Sequence, residues 1–266
     1  MTAAREQGDG ETDPARLLRI QLDRVRALRD ARASDPGAEA LLAAVRSWQT
    51  RRLARTYADL AASDRYAPAT EFFLSDLYGE RDFEARDLSL ERAFPLLAKI
   101  LPGVVLLPVA RAIELHALTG ELDRALCKAL LEDRVAKEAI TDSMYAAAYR
   151  RCANRPLRLR QIELVVAVGE RLDRVVRKPM LQRALKLARR PARSGGFAEL
   201  QDFLERGFAA FRHMHGAGEF LATIESREKA VLERLFAGSP KPFELEPRAS
   251  APGVPVPGRP CDSRKS

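Results

Sequence analysis

Apolar residues recur at steps of three and four along most of the chain, and nowhere in the two-residue alternation of a half-buried strand. Asp13-Pro14 reads as a cap followed by proline at the first helical position, and Leu18, Leu22 and Val25 continue the helix to about Asp30. Ser34-Asp35-Pro36 repeats that signal ahead of Leu41, Val45, Trp48, Leu53, Tyr57 and Leu60, which predict a long helix to about Ala62. Pro68 opens a helix over Phe72, Phe73, Leu74, Leu77 and Tyr78, and Gly79 supplies the residue that commonly ends one. Leu90, Phe94, Leu97 and Leu101 predict the next, with Pro95 bending or splitting it. A helix from Val104 or Pro108 is then expected to stop at Gly120, and another to begin at Leu122.

Thr141-Asp142 caps a helix bearing Tyr145, Tyr149 and Cys152, and Pro156 separates it from a segment with Ile162, Val165, Val166, Gly169 and Leu172. Pro179 precedes Leu181, Leu185 and Ala188, and Pro191 to Gly196 reads as a loop. Phe197, Leu200, Leu204, Phe208 and Phe211 form a strong amphipathic stripe, and Ile224, Val231 and Leu235 define a last helix closed by Gly238. The expected fold is all-α, one multi-helix bundle of roughly ten helices. Its expected limits are a disordered leader over 1–13, a helical domain over 14–238 and a Pro/Gly/Ser-rich disordered tail over 239–266. The stretch Phe72 to Tyr78 is apolar around most of a helical girth, so it is expected at the centre of the bundle.

That stretch, with Gly79, Asp82, Phe83, Arg86 and Asp87 after it, resembles a signature of bacterial all-helical proteins that have no assigned activity. The strings Glu114 to Asp123 and Leu200 to Phe208 are similar to the same family. The resemblance spans about residue 14 to 238, implies one helical domain and carries over no catalytic residues.

Charge changes this picture more than composition does. The formal net charge is +8, which permits contact with nucleic acid, anionic lipid or acidic partners. From Arg150 to Arg193 there are 14 cations against Glu163, Glu170 and Asp173. Arg174, Lys178, Arg183, Lys186 and Arg190 are the candidate basic patch, because they fall opposite Leu181, Leu185 and Ala188 or just before that helix. Three widely spaced cysteines support neither a zinc knuckle nor a disulfide framework. No phosphate loop and no Gly-x-Ser-x-Gly elbow is present. The longest apolar run, Ile100 to Ala110, is too short to span a bilayer, and a polar Met1 to Pro14 makes the cytoplasm the expected compartment.

Glu114 and His116, like His213 and His215, are two apart and so point about 200° away from each other on a helix, which excludes chelation from one helix. Glu-x-x-His is absent, and no metal or cofactor is assigned. The candidate ligand pocket comprises Phe72, Phe73, Asp76, Tyr78, Asp82, Asp87 and His116, with the aromatics as floor and a carboxylate as polar contact. A buried Asp76 requires a partner, for which Arg81 and Arg86 are the nearest candidates. The functional expectation is a helical adaptor, regulator or scaffold acting on a protein partner. Its alternatives are a small-molecule or metal pocket, enzymatic or not, and nucleic-acid or phosphate binding through residues 150–193.

Overall fold

The computed structural model describes residues 13–33, 36–77, 91–92, 103–133 and 140–245. Asp13 opens the first helix as its sequence predicts, its carboxylate accepting the Ala15 N–H at 3.1 Å. The elements are α1 (Pro14–Ala33), α2 (Pro36–Thr56), α3 (Ala58–Ala61), α4 (Ala67–Phe72), α5 (Gly103–Glu132), α6 (Asp142–Arg151), α7 (Arg155–Val176), α8 (Pro179–Ser194), α9 (Ala198–His213) and α10 (Gly218–Phe236). A π-turn, Phe73–Leu77, continues α4. No strand occurs among the described residues, so the fold is all-α. Tyr78, Asp82 and Asp87 lie outside the described residues, as do Gly79 and the helix expected over Leu90 to Leu101.

The spine of the bundle is α5 rather than the Phe-Phe-Leu stretch. It runs 30 residues without a break and packs against α1, α2, α6 and α7. The stop expected at Gly120 does not occur, because this glycine makes room instead of ending the helix. A Cβ there would lie 3.0 Å from Cδ1 of Leu28, so the bare backbone lets α1 lie close along α5. Pro108 sits in the second turn, where it removes a single backbone donor near an end already short of partners.

Three more boundaries differ from their sequence signals. Arg227 donates to the Thr56 carbonyl at 2.7 Å, and Thr56 itself donates to the Arg52 carbonyl at 3.1 Å. Side chains thus occupy acceptors of the last turn, and the helix expected to about Ala62 is interrupted at Tyr57 and resumes as α3 to Ala61. The predicted Pro191–Gly196 loop is also shorter, since α8 continues through Pro191 to Ser194. Pro191 deprives only the Leu187 carbonyl of its helical donor, on a face where water serves it. Gly196, at φ 76°, then closes α8 with the paired bonds Phe197 N–H to Ala192 O and Gly196 N–H to Arg193 O. Gly238 closes α10 in the same way, at φ 72°, as its position predicts. The third difference follows it: Phe243, placed by sequence in the tail, packs on the Trp48 and Tyr145 rings.

Two main cores result. One joins Trp48 of α2, Leu126 and Leu130 of α5, Tyr145 of α6 and Leu232 of α10. The other joins Tyr57, Phe72, Phe73, Phe211 and Phe220. Phe72 and Phe73 are therefore buried as expected. Phe73 meets the Tyr57 ring edge-on at 6.0 Å, and Phe72 lies against Phe203 at 5.3 Å. Phe73→Ala removes a buried ring and is expected to destabilise the protein by about 3–5 kcal/mol in urea denaturation, whereas an effect near zero would misplace this core.

Candidate functional site

Arginines of the basic segment divide into two populations. Arg151 pairs with Asp133, Arg155 with Glu233, and Arg177 with Asp173 at 2.6 Å. Arg160 reaches Glu114 at 3.0 Å, and Arg111 reaches the same carboxylate at 2.6 Å. Burial pushes the Glu114 carboxyl upward, and the two guanidinium groups outweigh it, holding its pKa below the usual range. Arg151, Arg155 and Arg160 thereby bridge neighbouring elements, whereas Arg177 pairs four residues back along α7. All five residues of the candidate patch, Arg174, Lys178, Arg183, Lys186 and Arg190, are exposed instead.

The second population is concentrated on α8. This helix carries Arg183, Lys186, Arg189, Arg190 and Arg193 and has no acidic residue. Its inner face, Leu181, Leu185, Ala188 and Ala192, is at least partly covered, and it packs on α7 and α9. Arg189 is the electrostatic tether, donating to both oxygens of Glu205 on α9 at 2.5 Å. Among the described residues, Arg183, Lys186, Arg190 and Arg193 form no ion pair. Met180 and Leu187 share their outer face and are 74% and 78% exposed, the highest values among the exposed large apolar side chains described. At helical spacing the order Met180, Arg183, Leu187, Arg190 is a single stripe, with Lys186 and Arg193 beside it.

A cavity of about 50 Å³ lies inside the bundle between α2, α5, α6, α7 and α10. Its polar lining includes Gln49, Arg52, Asp123, Arg158 and Glu228, and Tyr145, Tyr149 and Phe243 supply aromatic walls. Arg52 donates to both Glu228 oxygens, at 2.6 and 3.0 Å, and the Tyr57 hydroxyl donates to the same carboxylate at 2.8 Å. Burial opposes the charge on Arg52, and the Glu228 carboxylate overrides it, leaving its pKa above the ordinary arginine value. Gln49 donates to Asp123 at 2.9 Å and to the Tyr145 hydroxyl at 3.2 Å. Tyr145 stacks on Trp48 with ring centroids 3.8 Å apart. Burial pushes the Tyr145 hydroxyl up, against the pull of Arg158 and Arg52.

Sequence reasoning missed this cavity, although a signal for it exists. Arg52 continues the stripe Leu41, Val45, Trp48, and Arg158 begins the stripe Ile162, Val165, Gly169, Leu172, Val176. An arginine in register with an apolar stripe must be buried or must bend away to water. Here Arg158 is buried and Arg52 largely so, both beside the cavity.

Of the sequence-predicted pocket, Phe72, Phe73, Asp76 and His116 are among the described residues. Asp76 is buried in the π-turn and accepts both Nε and Nη2 of Arg206 of α9, at 3.0 and 2.6 Å, while Arg81 and Arg86 lie outside the described residues. His116 is half-buried on α5. His213 ends α9 and meets the Asp64 carbonyl at 2.9 Å. No cluster of three His, Cys, Asp or Glu side chains forms a metal site among the described residues. Burial pushes the Cys127 thiol up to about 12, and Asp123 adds to the shift, so it is a core residue rather than a nucleophile.

The fold thus defines a strand-free helical domain with a basic outer helix and a polar cavity in its core. The chain belongs to the family described as a domain of unknown function, DUF8198, whose match spans residues 28–242. No curated protein and no solved structure matches it.

Two predictions concern these charges. Glu228→Gln leaves the buried Arg52 without its counterion and is expected to cost about 3–5 kcal/mol of stability, read by urea denaturation. Arg189, helped by Gln201, lowers the Glu205 carboxyl to about 2. A carboxyl lowered on folding contributes stability that is complete above its unfolded pKa and lost as pH falls through the folded one. The melting temperature should therefore fall between about pH 4.5 and 2, and less steeply in Glu205→Gln. Parallel curves would remove Glu205 from that decline.

Proposed function

We propose that the protein docks on anionic phospholipid surfaces through the outer face of α8. The observation carrying this reading is the charge pattern of that helix: five cations, no acid, and two protruding apolar residues in line with the arginines. Such a stripe suits a bilayer interface, where Met180 and Leu187 sink toward the acyl boundary while the cations meet headgroup phosphates. Each cation near such a surface contributes about 1 kcal/mol, and full burial of a Met or Leu side chain up to about 1.5–3 kcal/mol. Their sum suffices for reversible association.

Two other occupants fit the pattern less well. Nucleic acid satisfies the cations but places Met180 and Leu187 against phosphates, and no aromatic residue on α8 is available to stack on bases. A protein partner for an adaptor must offer both acidic groups and matched pockets to the outside of a single helix, whereas a fluid interface needs no matching. Among the described residues no helix is long and apolar enough to cross a membrane, so the docking proposed is peripheral.

Co-sedimentation with vesicles tests the proposal. The protein should bind phosphatidylglycerol-containing vesicles, ignore pure phosphatidylcholine, and release as salt rises. Arg183→Glu with Lys186→Glu should abolish binding, and Met180→Ser with Leu187→Ser should weaken it most at high salt. Equal binding by wild type and the charge-reversal variant would sink the idea. Retention of duplex DNA but not vesicles would replace it with the nucleic-acid reading.

A further inference from the structure

Arg158 is a buried cation whose neighbours leave it incompletely satisfied. It is 5% exposed, on the first turn of α7. Its Nη2 donates to the Leu122 carbonyl at 3.3 Å and its Nη1 to Gln161 at 3.4 Å, both long contacts to neutral acceptors. The guanidinium lies over the Tyr149 ring, 4.6 Å from the centroid, and its Nε has no hydrogen-bond partner among the described residues. No described carboxylate forms an ion pair with it. The carboxylates in the same cavity are engaged elsewhere, Glu228 by Arg52 and Asp123 by Gln49, with Arg46 at 3.9 Å from Asp123.

Among the described residues Arg158 is the cation at this cavity that forms no ion pair, while Arg52 holds Glu228 and Gln49 holds Asp123. Burying a cation without a counterion is costly, and the usual remedy is an anion that can also accept its hydrogen bonds. The cavity beside it, at about 50 Å³, is several times the roughly 10–15 Å³ that a single water requires. Next to the polar groups, Ile162, Val231, Leu235 and Phe243 line it with carbon. Tyr145, whose hydroxyl oxygen accepts from Gln49, retains its own proton as a donor.

We infer that this cavity binds a small organic monocarboxylate, its carboxylate on the Arg158 guanidinium and its short apolar part against Ile162, Leu235 and Phe243. A carboxylate matches one edge of a guanidinium with two parallel acceptors, its negative charge complements Arg158, and the carbon lining selects an organic acid over an inorganic ion. The site is separate from α8, so it stands or falls independently of membrane docking.

The chain carries its own reporter, because Trp48 is the only tryptophan and stacks on Tyr145, a wall of the cavity. The full-length protein would be titrated with butyrate, with inorganic phosphate and chloride at matched ionic strength as comparisons, following Trp48 emission and the melting temperature. Butyrate should give a saturable change in emission and raise the melting temperature, and the comparison salts should not. Arg158→Met should weaken butyrate binding by at least about tenfold while the far-ultraviolet dichroism remains helical. Ile162→Phe, which fills the cavity without touching charge, should block binding as well and serves if Arg158→Met does not fold. The inference is overturned if butyrate acts no differently from chloride, if phosphate alone saturates, or if a folded Arg158→Met or Ile162→Phe binds butyrate as the wild type does.

Discussion

A guanidinium buried in a helical core has to be neutralised where it lies, and the Arg52–Glu228 pair meets that constraint for this bundle. The bidentate contact, with the Tyr57 hydroxyl on the same carboxylate, locks α2 to α10. Once α10 is fixed, Leu221 falls over Gly169, where a Cβ would come within 2.4 Å of its Cδ2, so α7 is drawn in against α10. Arg227, one residue before Glu228, then reaches back to Thr56 and Asp59 and ends α2. Three of the five helices that wall the polar cavity, α2, α7 and α10, are positioned by this chain of contacts. Coulombic attraction sets the address, and close packing sets the distance.

The same residue type therefore does opposite work in different places. Along α7 two arginines find carboxylates on neighbouring helices and join the architecture, Arg155 on Glu233 and Arg160 on Glu114. Along α8 the supply of acids ends, and only Arg189 finds one, on Glu205. What remains is a field projecting into solvent from a helix held by a thin apolar strip and one ion pair. A basic run in sequence is one object, but folding divides it into mortar and surface.

Local signals were legible in the sequence and relational ones were not. The caps at Asp13 and Thr141 and the closing Gly238 were readable because each is decided within a few residues, as the Met144 N–H to Thr141 contact illustrates. The apolar periodicity likewise identified Phe72, Phe73, Leu126 and Leu235 as interior. Gly120 was misread as a terminator because only the approach of Leu28, 92 positions earlier in the chain, shows that it is a contact residue. Pro191 was misread for a related reason, since the energetic damage of a proline depends on whether the orphaned carbonyl meets water or core. Of the predicted pocket, burial of Asp76 was foreseeable, but not that Arg206 would answer it across 130 residues. The cavity arginines were written into their apolar stripes, yet charge dominated the reading of the segment.

One feature of α4 bears on how this chain tolerates change in length. A π-turn is a helix carrying a surplus residue, and Phe73–Leu77 is such a place. The surplus delays the helical phase, so that Phe72 and Phe73 both reach the core while Asp76 still arrives opposite Arg206. Substitution alters what stands at a position, but deletion of one residue here resets the phase of everything after it. Between Phe72 and Asp76 the chain is read by counting as well as by chemistry, and a gap in this segment is a rotation rather than a shortening.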